Sequence, residues 1–165
     1  MPMNVQLPIS DNISEVLVKI IQFTDLRRQI LHRNMHNLDT PQFVPQDLPV
    51  REFAELLNEA VAEHLHNHRL LLRDTAGIRF GSNNAMQVRP QTDAYALTLL
   101  GTSHDAYLEL QVNKLMENSL NRKVAQELLR QKCGAYPQIP AGDNHATLVS
   151  DGPPGGLLTH RDTPE

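Results

Sequence analysis

The chain has no tryptophan, only 4% aromatic residues and a single cysteine, Cys133, in 165 residues. The length allows one ordinary domain, but any core must be built mainly from aliphatic side chains. One cysteine excludes an internal disulfide and a multi-cysteine zinc site, and Cys133 reads as an inert thiol near a helix end. Positive charge is also scarce: Lys and Arg number 15 against 19 Asp and Glu, a net charge of -4. No basic block is present that could neutralise a run of phosphates, so nucleic acid is not an expected partner. A basic, apolar and small-residue leader is missing, so no cleaved secretory signal is expected. The apolar stretch from Ile13 to Phe23 is interrupted by Ser14, Glu15, Lys19 and Gln22, too short and too polar to span a bilayer. The chain reads as soluble, without direct membrane insertion.

Reactive constellations are equally sparse. Ser82, Ser103 and Ser119 have no base or strained turn beside them, and Gly77-Ile78-Arg79-Phe80-Gly81 lacks the Gly-Lys-Ser/Thr ending that grips nucleotide. His64 and His68 would lie one turn apart on a helix, as zinc ligands can, with His66 between them. No further carboxylate and histidine spacing completes a catalytic set, so they read as solvated or interface histidines. His32 and His36 share the spacing and could make an interface sensitive to pH. No catalytic residue, cofactor or metal is assigned, and the chain is not expected to be an enzyme.

What is present is helical periodicity at both ends. Residues 1–10, with Pro2 and Pro8, read as a flexible N-terminus. A helix is expected from about Asn12 to Asn37, with Ser10 or Asp11 as its N-cap and Ile13, Leu17, Ile20, Leu31 and Leu38 on one heptad-like stripe. Arg27 and Asn34 fall on the same stripe. They either fix register as buried polar groups or simply meet water at a partly exposed seam. Asn37, Asp39, Thr40 and Pro41 stop this N-terminal unit, residues 11–40, by hydrogen-bonding their own backbone and by withholding a donor.

The middle region, 41–102, begins with an extended arm set by Pro41, Pro45 and Pro49. A second helix is expected from Val50 to about Leu72, then a loop from Asp74 to Asn84. Tyr95, Leu97 and Leu99 alternate and suggest a strand, with Met86 and Val88 as its partner. A last helix, within 103–136, starts near Ser103 and runs through Leu108, Val112, Leu115, Leu120, Val124 and Leu128 to Lys132 before Gly134. Residues 137–165 are rich in proline and glycine and read as a disordered tail. The fold class is therefore mainly α: long N- and C-terminal amphipathic helices pairing as a coiled-coil-like bundle, with a small irregular or β-containing middle region.

Two helices alone make a thin core. Ordering costs about 1–2 kcal/mol per residue, against about 1.5–3 kcal/mol for each large aliphatic side chain fully buried. The terminal helices are thus expected to gain most of their stability by packing on neighbours.

The segment Asn34-Met35-His36-Asn37-Leu38-Asp39-Thr40-Pro41-Gln42-Phe43 resembles the Asn-x-Ala-Asn-x-x-Thr-Pro-Gly-Tyr motif that follows the N-terminal helix of bacterial flagellar axial proteins, most of all those of the proximal rod. The likeness continues to Asp47 and Phe53, and reappears in the C-terminal helix from Tyr107-Leu108-Glu109 to Asn118. Ala, Gly and Tyr of the motif are replaced here by His36, Gln42 and Phe43. With glutamine at 42, the turn is expected not to depend on a positive backbone angle there.

The resemblance implies a structural subunit of the flagellar basal-body rod, crossing the periplasm and exported by the flagellar type III apparatus without a cleaved signal. It implies helical homo- and hetero-oligomeric assembly with other rod and basal-body proteins, with Asn34, Asn37, Asp39, Thr40, Pro41 and Phe43 as the assembly motif. The alternative is a soluble helical adaptor or export chaperone binding a flagellar or secretion partner.

Overall fold

The computed structural model describes residues 11–134 and 146–150. The elements are α1 (Asn12–His36), β1 (Gln46–Asp47), α2 (Val50–Asn67), β2 (Ile78–Phe80), β3 (Met86–Val88), β4 (Gln91–Thr92), α3 (Ala94–Leu100), α4 (His104–Cys133) and β5 (Ala146–Leu148). The architecture is mainly helical with a small sheet region. Among the described residues no helix is long and apolar enough to cross a membrane.

Both long helices start where their caps dictate. The Asp11 carboxylate accepts the Ile13 N–H ahead of α1, and the Ser103 hydroxyl accepts the Ala106 N–H ahead of α4. α4 ends at Gly134, whose φ of 67° suits a residue without a Cβ. α2 stops earlier than expected, at Asn67, because His68 turns into the left-handed region at φ 55° and donates its N–H back to His64.

α4 runs antiparallel along α1. Asn118 meets Thr24, Arg122 meets Asp25, and Lys132 reaches Asp11 at the start of α1. On its other side α1 is covered by the middle region. Phe23, Leu26 and Ile30 share a core with Leu48, Phe53 and Leu56, and with Ile78, Met86, Val88 and Ala146 from three strands. Phe23 and Phe53 stack with ring centroids 4.0 Å apart. A second cluster joins Leu17, Val18 and Ile21 to Ala125 and Leu129, with Ile20 touching both. The expected thin two-helix core is therefore corrected. α1 is a central helix, and the middle region supplies much of what buries it.

The strands form two small sheets: β1 with β4, and β2-β3-β5. β3 is antiparallel to β2, pairing Met86 with Phe80, and parallel to β5, pairing Met86 with Ala146. Met86 and Val88 are strand residues as expected, but their partner is not the 95–99 segment. That segment is the helix α3, because Asp93 caps it by accepting the Ala96 N–H and its buried residue is Ala96, while Tyr95 and Leu97 face outward. β5 likewise revises the expected tail over 137–165: Ala146–Leu148 completes the sheet and contributes Ala146 to the core. Residues 1–10, and the tail apart from 146–150, lie outside the described residues.

Candidate functional site

Where α1 ends, its polar residues are held by α4 and by the arm that contains β1. Asn34 is fully buried. Its amide donates to the Gln46 carbonyl at 2.7 Å and to Gln111 Oε1 at 3.0 Å, while its oxygen accepts the Gln46 N–H at 3.2 Å. The buried Tyr107 hydroxyl donates to the Asn34 carbonyl at 3.0 Å. Burial and the charge of Asp93 push the Tyr107 hydroxyl up to about 12.

One helical turn pair earlier on α1, Arg27 grips Asp47 with two bonds of 2.9 and 3.0 Å. Lys114 of α4 bridges Asp47 and Asp93. Desolvation alone would raise the Asp47 carboxyl, but Arg27 and Lys114 outweigh it and hold it below the usual carboxylate range. Lys114 shows the opposite balance: burial lowers its amine, and its bonds to Asp47 and Asp93 more than restore it, so it sits above the ordinary lysine value. Arg27 and Asn34 are buried, so they do not simply meet water at a partly exposed seam.

The stop itself is a chain of local bonds. Asn37 donates its side-chain amide to the Arg33 carbonyl and accepts the Thr40 hydroxyl, and the Phe43 N–H closes back on Thr40. Asp39, Thr40 and Pro41 are exposed, and Asn37, Leu38 and Phe43 are half-buried. The expectation about position 42 is overturned: Gln42 adopts φ 60°. A side chain is held there in a conformation that normally suits glycine, at a cost of about 1–2 kcal/mol. Leu38 to Phe43 and the α3 residues Leu97 and Leu100 line an open cavity of about 420 Å³.

The expected interface residues divide sharply. Leu17 and Leu31 are buried, Ile13 and Ile20 partly so, as the α1 stripe requires. On α4, Leu108 and Leu115 are half-buried. Val112, Leu120, Val124 and Leu128, expected to face α1, are instead 43%, 62%, 51% and 45% exposed. The face that does meet α1 carries Tyr107, Gln111, Lys114, Asn118, Ala125 and Leu129, at alternating three- and four-residue steps broken only between Asn118 and Ala125. Over residues 107–118 the inward face of α4 is thus largely polar, with partners on α1 and β1, and Ala125 and Leu129 add an apolar contact farther along, while Val112, Leu120, Val124 and Leu128 lie outside the pair. Tyr107, Gln111, Lys114 and Asn118 were missed because a search for apolar spacing passes over them. The signal was polar residues at helical spacing opposite the polar positions 27 and 34.

The outward apolar residues build a concave site. Leu120, Val124 and Leu128 of α4 face Leu17, Ile20 and Phe23 of α1 and Val50, Phe53 and Leu57 of α2 across an open apolar groove of about 410 Å³. The histidines do not join it. The Asn12 amide lies 3.1 Å from His64 Nδ1 and donates to the His68 carbonyl, and the two rings meet edge to face. Among the described residues no group of three or more His, Cys, Asp or Glu converges to hold a metal ion. Cys133 is the last residue of α4.

No family model, curated protein or solved structure matches this chain.

Proposed function

We propose that this chain is a structural subunit that assembles with other subunits through its long helices, and that its place is the rod of the bacterial flagellar basal body. The observation that carries the assembly reading is the placement of α4: its inward face is largely polar over residues 107–118, and Leu120, Val124 and Leu128 are left on the wall of an open apolar groove. Exposed contiguous apolar surface of this kind is characteristic of interaction sites. The rod itself is supported by the resemblance over Asn34 to Phe43 and over Tyr107 to Asn118. In this reading the antiparallel, coiled-coil-like pair of α1 and α4 forms the inner layer of the rod, and the bonded turn at Asn37, Thr40 and Pro41 sets where that layer ends. The partners are then other rod and basal-body proteins, with delivery by the flagellar export apparatus.

The test is genetic and visual. Deleting the gene should leave cells with basal-body rings and no rod by electron microscopy. Complementation with the wild type should restore rods, whereas Val124→Glu, at a half-exposed position and with its fold checked by circular dichroism, should not. Normal motility of the deletion strain would remove the rod assignment. A purified chain that binds one soluble partner at fixed stoichiometry would favour the adaptor alternative.

A further inference from the structure

The apolar groove has a mouth, and the chain enters the fold beside it. α2 and α4 both run antiparallel to α1: Asn12 meets His64 and Phe23 stacks on Phe53 along α2, while Asp11 pairs with Lys132 and Thr24 bonds Asn118 along α4. α1 is therefore the floor of the groove and the other two helices are its walls. The groove runs from Leu17, Leu57 and Leu128 at one end to Arg27, Val50 and Asn118 at the other. Asp11, held to α4, and Asn12, held to α2, stand just beyond the first of these ends. Residues 1–10, outside the described residues, join the fold at Asp11 and so start between the two walls.

Their sequence suits an apolar channel. Met1, Met3, Val5, Leu7 and Ile9 alternate with Pro2, Asn4, Gln6, Pro8 and Ser10, and none of these side chains is charged. In an extended chain the odd positions share one face. Pro2 and Pro8 favour that geometry by pushing Met1 and Leu7 out of the helical region. They also withhold two backbone donors that helical walls, their own carbonyls engaged, would leave unpaired. Lengths agree as well. From Asp11 to Arg27 the helix rises about 24 Å, and residues 1–10 fully extended span about 33 Å, which leaves roughly three residues for a reversal of direction. The other segments outside the described residues fit poorly: 135–145 has to connect α4 to β5, and 151–165 carries Asp151, Arg161, Asp162 and Glu165.

We propose that residues 1–10 turn back and fill the groove of their own chain, with Leu7 and Ile9 toward Leu17 and Leu128, and Val5 toward Leu57 and Val124. A subunit that docks in the groove must first displace them, so the contact is autoinhibitory. It rests on the assembly reading for what it blocks. Tethering favours it over the same segment of a second copy, because a short link gives an effective concentration in the millimolar range.

The test uses the full chain with Cys133→Ser at low micromolar concentration under mild oxidation. Val5→Cys with Leu57→Cys, and Val5→Cys with Val124→Cys, should each give a monomer closed by an internal disulfide, at a yield about tenfold above that of Val5→Cys with Glu59→Cys, which is exposed and lies off the groove. In a second arm, Val5→Asp with Leu7→Asp should raise the fluorescence of anilinonaphthalene sulfonate several-fold, with helix content by circular dichroism unchanged. Equal yields for the three pairs, disulfides formed only between copies, or an unchanged dye signal would each overturn the proposal. Its failure is separable from that of the rod reading: rods lost on gene deletion together with equal yields would refute this contact alone, and internal disulfides together with normal motility of the deletion strain would refute the rod alone.

Discussion

Asp47→Ala should be among the most damaging single substitutions in the chain. The Asp47 carboxylate accepts four bonds: two from Arg27, one from Lys114 at 2.8 Å and one from the Leu48 N–H at 2.8 Å. Removing it leaves the Arg27 side chain, 5% exposed, with only Glu117 at 3.8 Å as an ionic partner among the described residues. Lys114 still has Asp93, so the loss falls mainly on Arg27. Breaking a buried pair by deleting one partner costs about 3–5 kcal/mol, because the surviving charge stays buried. Against a total stability of about 5–15 kcal/mol this is a large fraction.

Urea unfolding followed by far-ultraviolet circular dichroism, with a slope of about 2 kcal/mol per molar, should show the midpoint falling by about 2 M. The sign of the pH dependence is fixed by the depressed native carboxyl. Its contribution is complete above the unfolded value near ~4 and is lost as pH falls through the native value, so wild type and variant should converge in acid. The pair Arg27→Met with Asp47→Leu should regain most of the loss, since a buried ion pair is often replaceable by apolar groups. A loss under about 1 kcal/mol for Asp47→Ala, or a difference unchanged in acid, would refute a desolvated ionic clamp between α1 and β1.

Gln42→Gly should stabilise the chain by about 0.5–1 kcal/mol, the relieved left-handed strain less the extra entropy of an unfolded glycine, and raise the melting temperature by about 2 °C; an unchanged or lower value in calorimetry would contradict the strain. Asn34→Ala should cost about 3 kcal/mol by leaving buried partners at Gln46 and Gln111 unsatisfied, whereas Asn37→Ala, half-buried and locally bonded, should cost about 1 kcal/mol in the same urea assay. Similar losses at both sites would show that burial does not separate the two asparagines. Lys19 is buried and donates to the Asn84 and Ala85 carbonyls; burial lowers its amine to about 8. The folded chain then releases this proton before the unfolded chain does, so stability should rise between about pH 8 and 10, and that rise should vanish in Lys19→Met. Identical slopes for both chains would exclude the assignment.

Periodicity and punctuation are local properties, and they were legible from the residues alone. Asp11 and Ser103 cap helices, Gly134 ends one, and the stripe through Leu17 and Leu31 is buried as its spacing requires. The positions of α1 and α4 follow from these signals within one or two residues. The 94–100 segment misled because alternation over so few residues fits a strand as well as a short helix, and the cap at Asp93 decided between them. Ala146–Leu148 could not be read as a strand, since its reason for pairing is the edge of β3 more than fifty residues away in sequence.

The groove belonged wholly to tertiary structure. A helix with apolar residues on one side and polar residues on another can bury either face, and the sequence of α4 favours the apolar one. The fold buries a largely polar face over residues 107–118 because Thr24, Asn34 and Asp47 bond Asn118, Gln111 and Lys114. Buried polar groups must be bonded, so this matching outweighs apolar spacing. Sequence alone determined where the helices lie and where they stop; the packing decided which face of α4 was left for another molecule.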